Sequence, residues 1–154
     1  MTIDQAGAIE GADLVLAPVP ADGVEAVLAG ELGPYAAGRG WPRDDTVAAL
    51  SFRAGPGMTW LIVVDGLVVG ELGTKGPPNV AGEVEIGYGL AAPSRRRGIG
   101  TRAVSVLVEW LLARDDVHAV IAHVDPANTP SVRLLRRLGF EHVGASGPED
   151  VYRR

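Results

Sequence analysis

The segment Arg95-Arg96-Arg97-Gly98-Ile99-Gly100-Thr101 joins the end of an alternating strand to the chain's longest helical pattern, and its residue types suit an anion. The first backbone N–H groups of a helix lack intrahelical acceptors, the helix dipole adds partial positive charge there, and glycine lets the backbone approach a ligand closely. The adjacent arginines supply charge-assisted hydrogen bonds. A Gly-rich helix entry also serves as a plain turn, and both readings stand at this point. The pattern lacks the third glycine of the dinucleotide fingerprint and the Lys-Ser/Thr ending of the P-loop, so a different phosphate ligand is wanted. Other chemistry finds less support. No cysteine is present, which removes thiolate nucleophiles and thiolate zinc sites, and His118, His123 and His142 do not fall at metal-ligand spacing. No metal site is expected, and the histidines read as structural.

The elements that must position this segment follow from periodicity. Leu14–Val19 reads as a strand, and Pro20–Gly30 and Pro42–Phe52 as two short helices joined by a Gly-rich loop. Thr59–Val64 and Leu67–Leu72 are β-branched runs separated by Asp65-Gly66, the two-residue signal of a tight hairpin. In 83–90 one parity is apolar (Val84, Ile86, Tyr88, Leu90) and the other is Glu83, Glu85, Gly87 and Gly89, which predicts a strand with one buried side. Its two glycines predict a bulge or a close backbone approach by another group. A stripe of Ile99, Ala103, Leu107, Trp110 and Leu111 predicts a helix over 99–113. A strand follows at His118–Val124, then a helix opening at Asn128-Thr129-Pro130-Ser131 and closing at Gly139, then short strands at Phe140–Gly144 and Val151–Arg153. Residues 1–12 show no periodicity and are expected to be a flexible tail, with 13–154 a single α/β (α+β) domain.

Composition bounds the rest. A chain of 154 residues is one domain's worth and buries a sizeable core without metal or disulfide. The longest uncharged stretch, Ala54–Val64, is eleven residues, below the roughly 18 apolar residues that read as a membrane span. The first twenty residues carry Asp4, Glu10 and Asp13 and no Lys or Arg, the opposite of a secretory start, so a soluble cytoplasmic protein is expected. The net charge of −5 hides an asymmetry: residues 1–90 hold four basic and twelve acidic side chains, residues 91–154 ten basic and seven acidic. The C-terminal part thus favours an anionic ligand and the N-terminal part tolerates a cationic one. Overall acidity and the lack of a basic stripe disfavour nucleic acid as a partner.

Read together, Glu85-Ile86-Gly87-Tyr88-Gly89-Leu90, Arg95-x-x-Gly98-x-Gly100 and Asn128-x-x-Ser131 running into Leu138-Gly139-Phe140 resemble the GCN5-related N-acetyltransferases (GNAT). Within them the chain looks most like the RimJ/RimL-like branch that acetylates ribosomal-protein N-termini. The resemblance covers residues 59–144; the first 58 match only in element order, and there the family builds its acceptor site. It implies a mixed, mostly antiparallel central sheet with a splayed strand pair and helices on both faces. It implies acetyl-CoA as cosubstrate, its pyrophosphate held by the loop of Arg95, Arg96, Arg97, Gly98, Ile99, Gly100 and Thr101. The pantetheine arm would then lie along Tyr88 to Leu90, with the Tyr88 N–H facing the thioester carbonyl as an oxyanion donor. Asn128 would hydrogen-bond the arm; it also suits a helix cap, and both can hold at once.

The activity implied is transfer of an acetyl group to a primary amine, on a protein N-terminus or a small molecule, by direct attack and without a covalent enzyme intermediate. A homodimer is the assembly the family suggests. Many members place a tyrosine seven residues after the asparagine to protonate the leaving thiolate; here that position is Leu135. The N-terminal-acetylating branch has a serine where Ser131 stands, which makes Ser131 the candidate to hydrogen-bond the sulfur, a first-turn serine bonding backbone being its other reading. Tyr88 and Tyr152 stand in reserve as acids, with core packing as their alternative. Glu83 and Glu85 occupy the strand where family bases occur; Glu85, acting through water, is the candidate base against a solvated strand face. The demand on a base depends on the amine, since near pH 7.4 about 0.1% of a lysine is neutral against roughly a quarter of an α-amine. Tyr35, Trp41, Asp44 and Asp45 are candidates to wall the acceptor cleft. Two rival readings keep the cofactor loop: a non-catalytic acyl-CoA-binding sensor or assembly module, and transfer of a larger acyl group.

Overall fold

The computed structural model describes residues 7–53 and 57–154. Its strands are β1 (Ile9–Glu10), β2 (Val15–Val19), β3 (Ala36–Ala37), β4 (Thr59–Val64), β5 (Leu67–Thr74), β6 (Glu83–Leu90), β7 (Ala119–Val124), β8 (Glu141–Ser146) and β9 (Glu149–Arg153). Its α-helices are α1 (Val24–Leu28), α2 (Asp44–Arg53), α3 (Ile99–Leu112) and α4 (Thr129–Arg137). One sheet runs in the order β1-β2-β4-β5-β6-β7-β9-β8, with β3 added alongside β5. Neighbours are antiparallel except β6 with β7 and β3 with β5. The fold is therefore mixed α/β with a mostly antiparallel sheet.

Strand alternation divides the sheet between two cores. On one side Trp60, Ile62, Val84, Ile86, Val120 and Ala122 pack against Ile99, Ala103, Leu107 and Leu111 of α3 and Leu135 of α4. On the other, Ala17, Val19, Leu61, Val63 and Val68 pack against Val24 and Val27 of α1 and Leu50 of α2. β4 thus reads as a continuous apolar run because both of its faces are covered.

Asp65-Gly66 turns the β4–β5 hairpin, both residues with positive φ. The bulge expected near Gly87 and Gly89 lies elsewhere: β5 and β6 pair without a register shift, while β4 and β5 slip between Ile62 and Val63. The close approach is what Gly89 serves, as described below. Two short strands were not legible as strands, β1 and β3, each two residues long; Ile9 of β1 also packs against the core. β1 corrects the expected tail, since Ile9 and Glu10 pair with Leu16 and Val15 of β2; residues 1–6 lie outside those described. The first predicted helix begins instead as a 3-10 turn over Ala21–Gly23. Among the described residues no helix is long and apolar enough to cross a membrane.

Candidate functional site

β6 and β7 form the fork that organises the site. They pair in parallel over four positions, ending at Ile86 opposite Ala122. Beyond that point β6 continues to Leu90 bonded only to β5. The Lys75 N–H donates to the Glu85 carbonyl and the Ala91 N–H to the Val69 carbonyl, both at 2.8 Å. In an antiparallel ladder this fixes the odd-numbered residues of β6 as the ones bonded to β5. The peptide groups of Tyr88 and Leu90 therefore face the gap that β7 has left. The splayed pair expected from the sequence is present, and the Tyr88 N–H points into it.

The candidate anion seat lies at the end of that gap. From Arg96 through Thr101 no backbone N–H has an acceptor among the described residues, and Gly98, the N-cap of α3, brings no capping side chain. Arg96 (φ 62°) and Gly98 (φ 73°) adopt left-handed conformations on either side of Arg97, the alternation that turns successive N–H groups toward one point. Arg95, Arg96 and Arg97 are exposed around it, and the Arg95 Nε donates to the Leu90 carbonyl at 3.1 Å. Arg102, which the motif does not include, braces the loop: its guanidinium donates to the Arg97 carbonyl (3.2 Å) and pairs with Asp13 (3.0 Å). A Cβ on Gly100 would stand 3.1 Å from Leu90 Cδ1 and 3.3 Å from Leu134 Cδ1, so this glycine lets α3, α4 and the end of β6 close up.

α4 supplies the third side. Asn128 is its N-cap, accepting from the Ser131 N–H at 3.3 Å, so the capping reading holds, and the amide nitrogen of Asn128 keeps no partner among the described residues. Ser131 does not use its hydroxyl on the backbone. Its Oγ lies 2.5 Å from the Tyr88 hydroxyl, which reaches it across the fork. Burial pushes the Tyr88 phenol above the ordinary tyrosine value, the Ser131 hydrogen bond offsetting part of that rise. Leu135, at the position where many relatives carry an acid, is fully buried in the core. Tyr152 is buried too, its ring 5.3 Å from that of His142, away from the fork on β9.

The odd-numbered residues of β6 face the other way. Glu85 is half-buried there, paired with Lys75 at 2.5 Å and standing 3.7 Å from His123 Nε2. His123 belongs to this face because the parallel register sets Ile121 beside Glu85 and so His123 beside Gly87. The parity of the β7 run carried that information. Glu83 is engaged elsewhere, with Asn79 and Arg153.

Glu71 on β5 lies opposite Gly89 and is fully buried. It accepts from Trp41 Nε1 at 2.9 Å and pairs with Arg43. The Arg43 guanidinium lies against Gly89, where a Cβ would overlap it. That is the close approach the glycine permits. Of the residues expected to wall an acceptor cleft, Asp44 and Asp45 border an open groove of about 340 Å³ together with Arg43 and Arg95. Trp41 stands behind it on Glu71. Tyr35 lines a separate cavity with Asp13 and Asp65, on the far side of β4, and does not join the site.

The arrangement offers an anion seat, a peptide donor in the sheet plane, a hydroxyl pair on one face and a carboxylate on the other. The acetyltransferase (GNAT) domain model matches residues 14–141. An uncharacterized N-acetyltransferase of Bacillus subtilis, YjdG, is 31% identical over 135 residues, covering 79% of this chain and 80% of its own length. Many solved structures share the fold, RimL and RimJ among them. RimL, a ribosomal L7/L12 alpha-N-protein acetyltransferase in complex with coenzyme A, superposes with a TM-score of 0.70 at 18% identity, over 96% of this chain and 97% of its own. Mycobacterium smegmatis RimJ, in complex with CoA-disulfide, does so with a TM-score of 0.66 at 24% identity, over 92% and 81%. On the domain match and the Bacillus relative, the chain belongs to the GNAT family of acetyltransferases.

Proposed function

We propose that this acetyltransferase takes its acetyl group from acetyl-CoA and delivers it to a primary amine by direct attack at the β6–β7 fork. The observation that carries the reading is the continuity of unpaired N–H groups, from Arg96 to Thr101 at the head of α3 and on to Tyr88 in the gap. A diphosphate suits the first set and an extended pantetheine arm suits the second, pairing with β6 where β7 no longer does. Arg95, Arg96 and Arg97 add charge at the seat, and the amide nitrogen of Asn128, without a partner among the described residues, supplies a donor to the arm.

The residues of this chain then divide the work. Most of the rate comes from holding amine and thioester together. The Tyr88 N–H receives the oxyanion of the tetrahedral intermediate; one such donor is worth roughly 2.7 to 4 kcal/mol in known cases. Ser131 hydrogen-bonds the departing sulfur. Glu85, through a water, accepts the proton that the attacking amine sheds, its carboxylate held on the acceptor side by Lys75. The acceptor we favour is an α-amine, such as a protein N-terminus, because it needs the least help to become neutral. The reading places the enzyme in the cytoplasm, where its thioester donor is made.

The test is calorimetry with acetyl-CoA followed by a panel of peptide and small-molecule amines, read as released thiol. Saturable binding with thiol release from α-amines is expected. No binding heat refutes the seat, and tight binding without thiol release from any amine favours the acyl-CoA-binding module instead.

A further inference from the structure

We propose that the Tyr88 hydroxyl is a positioning residue behind Ser131, and that the departing sulfur receives its proton along the chain Tyr88 Oη, Ser131 Oγ, sulfur. The proposal rests on the reading that a thioester occupies the fork. Its geometric basis is the 2.5 Å contact between the two hydroxyls, one from the splayed end of β6 and one from the first turn of α4. Ser131's own N–H is taken by Asn128, which fixes the residue in place, and its Oγ has Tyr88 as its one partner among the described residues. The Tyr88 hydroxyl likewise has Ser131 as its one side-chain partner among the described residues, and burial keeps the phenol protonated at neutral pH.

A lone serine is a poor acid, because giving up its proton would leave an alkoxide. Coupling it to a phenol changes what is left behind. As the carbon–sulfur bond breaks, its electron pair passes to sulfur, sulfur takes the Ser131 proton, and the Ser131 oxygen takes the Tyr88 proton. The phenolate is reprotonated from solvent, while the proton shed by the amine leaves through the base on the opposite face. The sum is amine plus thioester giving amide plus thiol. A phenol held above its ordinary value is a weaker acid than a thiol of about 8.5, so the transfer is uphill from the finished products and the chain acts on the negative charge that builds on sulfur while the bond is breaking. The chain thus supplies from β6 the acid that Leu135 cannot.

The experiment compares wild type, Tyr88→Phe, Ser131→Ala and the double variant, each with acetyl-CoA and with the acetyl selenoester of coenzyme A, whose selenolate departs without needing a proton. Phenylalanine keeps the ring and the peptide N–H, so the oxyanion donor is untouched. With acetyl-CoA, Tyr88→Phe is expected to lower kcat by about 10²-fold, the low end for a positioned acid, with acetyl-CoA affinity by calorimetry unchanged. The double variant falls no further than the worse single one, and the selenoester restores each variant to within a few-fold of wild type. Full activity of Tyr88→Phe with acetyl-CoA overturns the proposal. So does a deficit of equal size on the selenoester, which marks a packing role. Should Tyr88→Phe fail to fold, replacing Tyr88 with 3-fluorotyrosine, which keeps the ring and makes the phenol more acidic, decides the matter in its place: a changed kcat and pH profile with acetyl-CoA but not with the selenoester supports the chain, and no change on either donor overturns it. Wild type that neither binds acetyl-CoA nor releases thiol refutes the functional reading itself, a result distinct from any behaviour of Tyr88.

Discussion

Arg43 and Glu71 form a buried ion pair that fastens the loop before α2 to the acceptor side of the fork, and the two should be separable from cofactor binding by mutation. Glu71 is fully buried and the Arg43 side chain 16% exposed. Removing one partner of such a pair costs about 3 to 5 kcal/mol, because the other charge stays in the core. Since Arg43 keeps some solvent and a second carboxylate, Asp45 at 3.8 Å, Arg43→Met should cost about 3 kcal/mol and Glu71→Gln about 2 kcal/mol. For a domain of this size that lowers Tm by roughly 2 to 4 °C per kcal/mol, or about 6 to 12 °C for Arg43→Met. The double variant is neutral, and its glutamine still accepts the Trp41 N–H, so it should return to within about 1 kcal/mol of wild type. Urea unfolding at pH 7 measures all four corners of the cycle. In the same variants kcat/KM for the amine should fall by more than acetyl-CoA affinity does, because Arg43 lies on the odd-numbered face of β6 at Gly89 while the N–H groups of Arg96 to Thr101 are at the head of α3. Single variants that each cost under about 1 kcal/mol, or a double variant that costs their sum, would refute the buried pair as the fastening.

Two further substitutions probe the seat. Gly100→Leu forces side-chain atoms between Leu90 and Leu134, which a Cβ alone would already approach to 3.1 and 3.3 Å; overpacking of about 1 to 3 kcal/mol should weaken acetyl-CoA binding about tenfold or more, and unchanged calorimetric affinity refutes the seat's position. Asn128→Ala loses a helix cap worth about 1 kcal/mol, a fall of about 2 to 4 °C in Tm, whereas Asn128→Asp keeps the cap and loses only the amide donor. The aspartate variant should therefore retain its Tm and bind acetyl-CoA less tightly; equal affinity would remove Asn128 from the pantetheine contact.

The parts of the fold legible in the sequence are those whose signal is local. β6 spans the residues its period-two pattern gave, and Asp65-Gly66 turns a hairpin because few other pairs accept two positive φ values in succession. β1 and β3 escaped because two residues cannot display a period. The site divides in the same way. The loop at Gly98 was readable from helix-terminus physics, whereas the Tyr88–Ser131 contact spans 43 residues and the Arg43–Glu71 pair 28, distances at which no local pattern reports proximity. One local clue to the second does stand in the sequence: a lone glutamate amid the apolar run Leu67–Leu72, since a charge inside a strand covered on both faces must have a partner.

The two parities of β6 meet different surroundings: its even-numbered residues turn toward α3 and α4, where Tyr88 meets Ser131, and its odd-numbered ones toward Lys75, His123 and Arg43. A thioester lying in the sheet plane, with its carbonyl on the Tyr88 N–H, has a different face of the sheet on each side. On the proposed reading, an amine approaching from the odd-numbered face would attack the carbonyl and give up its proton there, while the sulfur would leave toward the even-numbered face and need its proton there. Acid and base on the same parity would compete for one side of the carbonyl and leave the other unserved. Glu85 and Tyr88 differ in parity, and three residues of extended strand, at about 3.3 Å each, set them roughly 10 Å apart along β6. That spacing leaves room for an amine and one water on the acceptor side. On the same reading Leu135 does not strand the leaving group, because the Tyr88 hydroxyl reaches Ser131 on α4 from the strand.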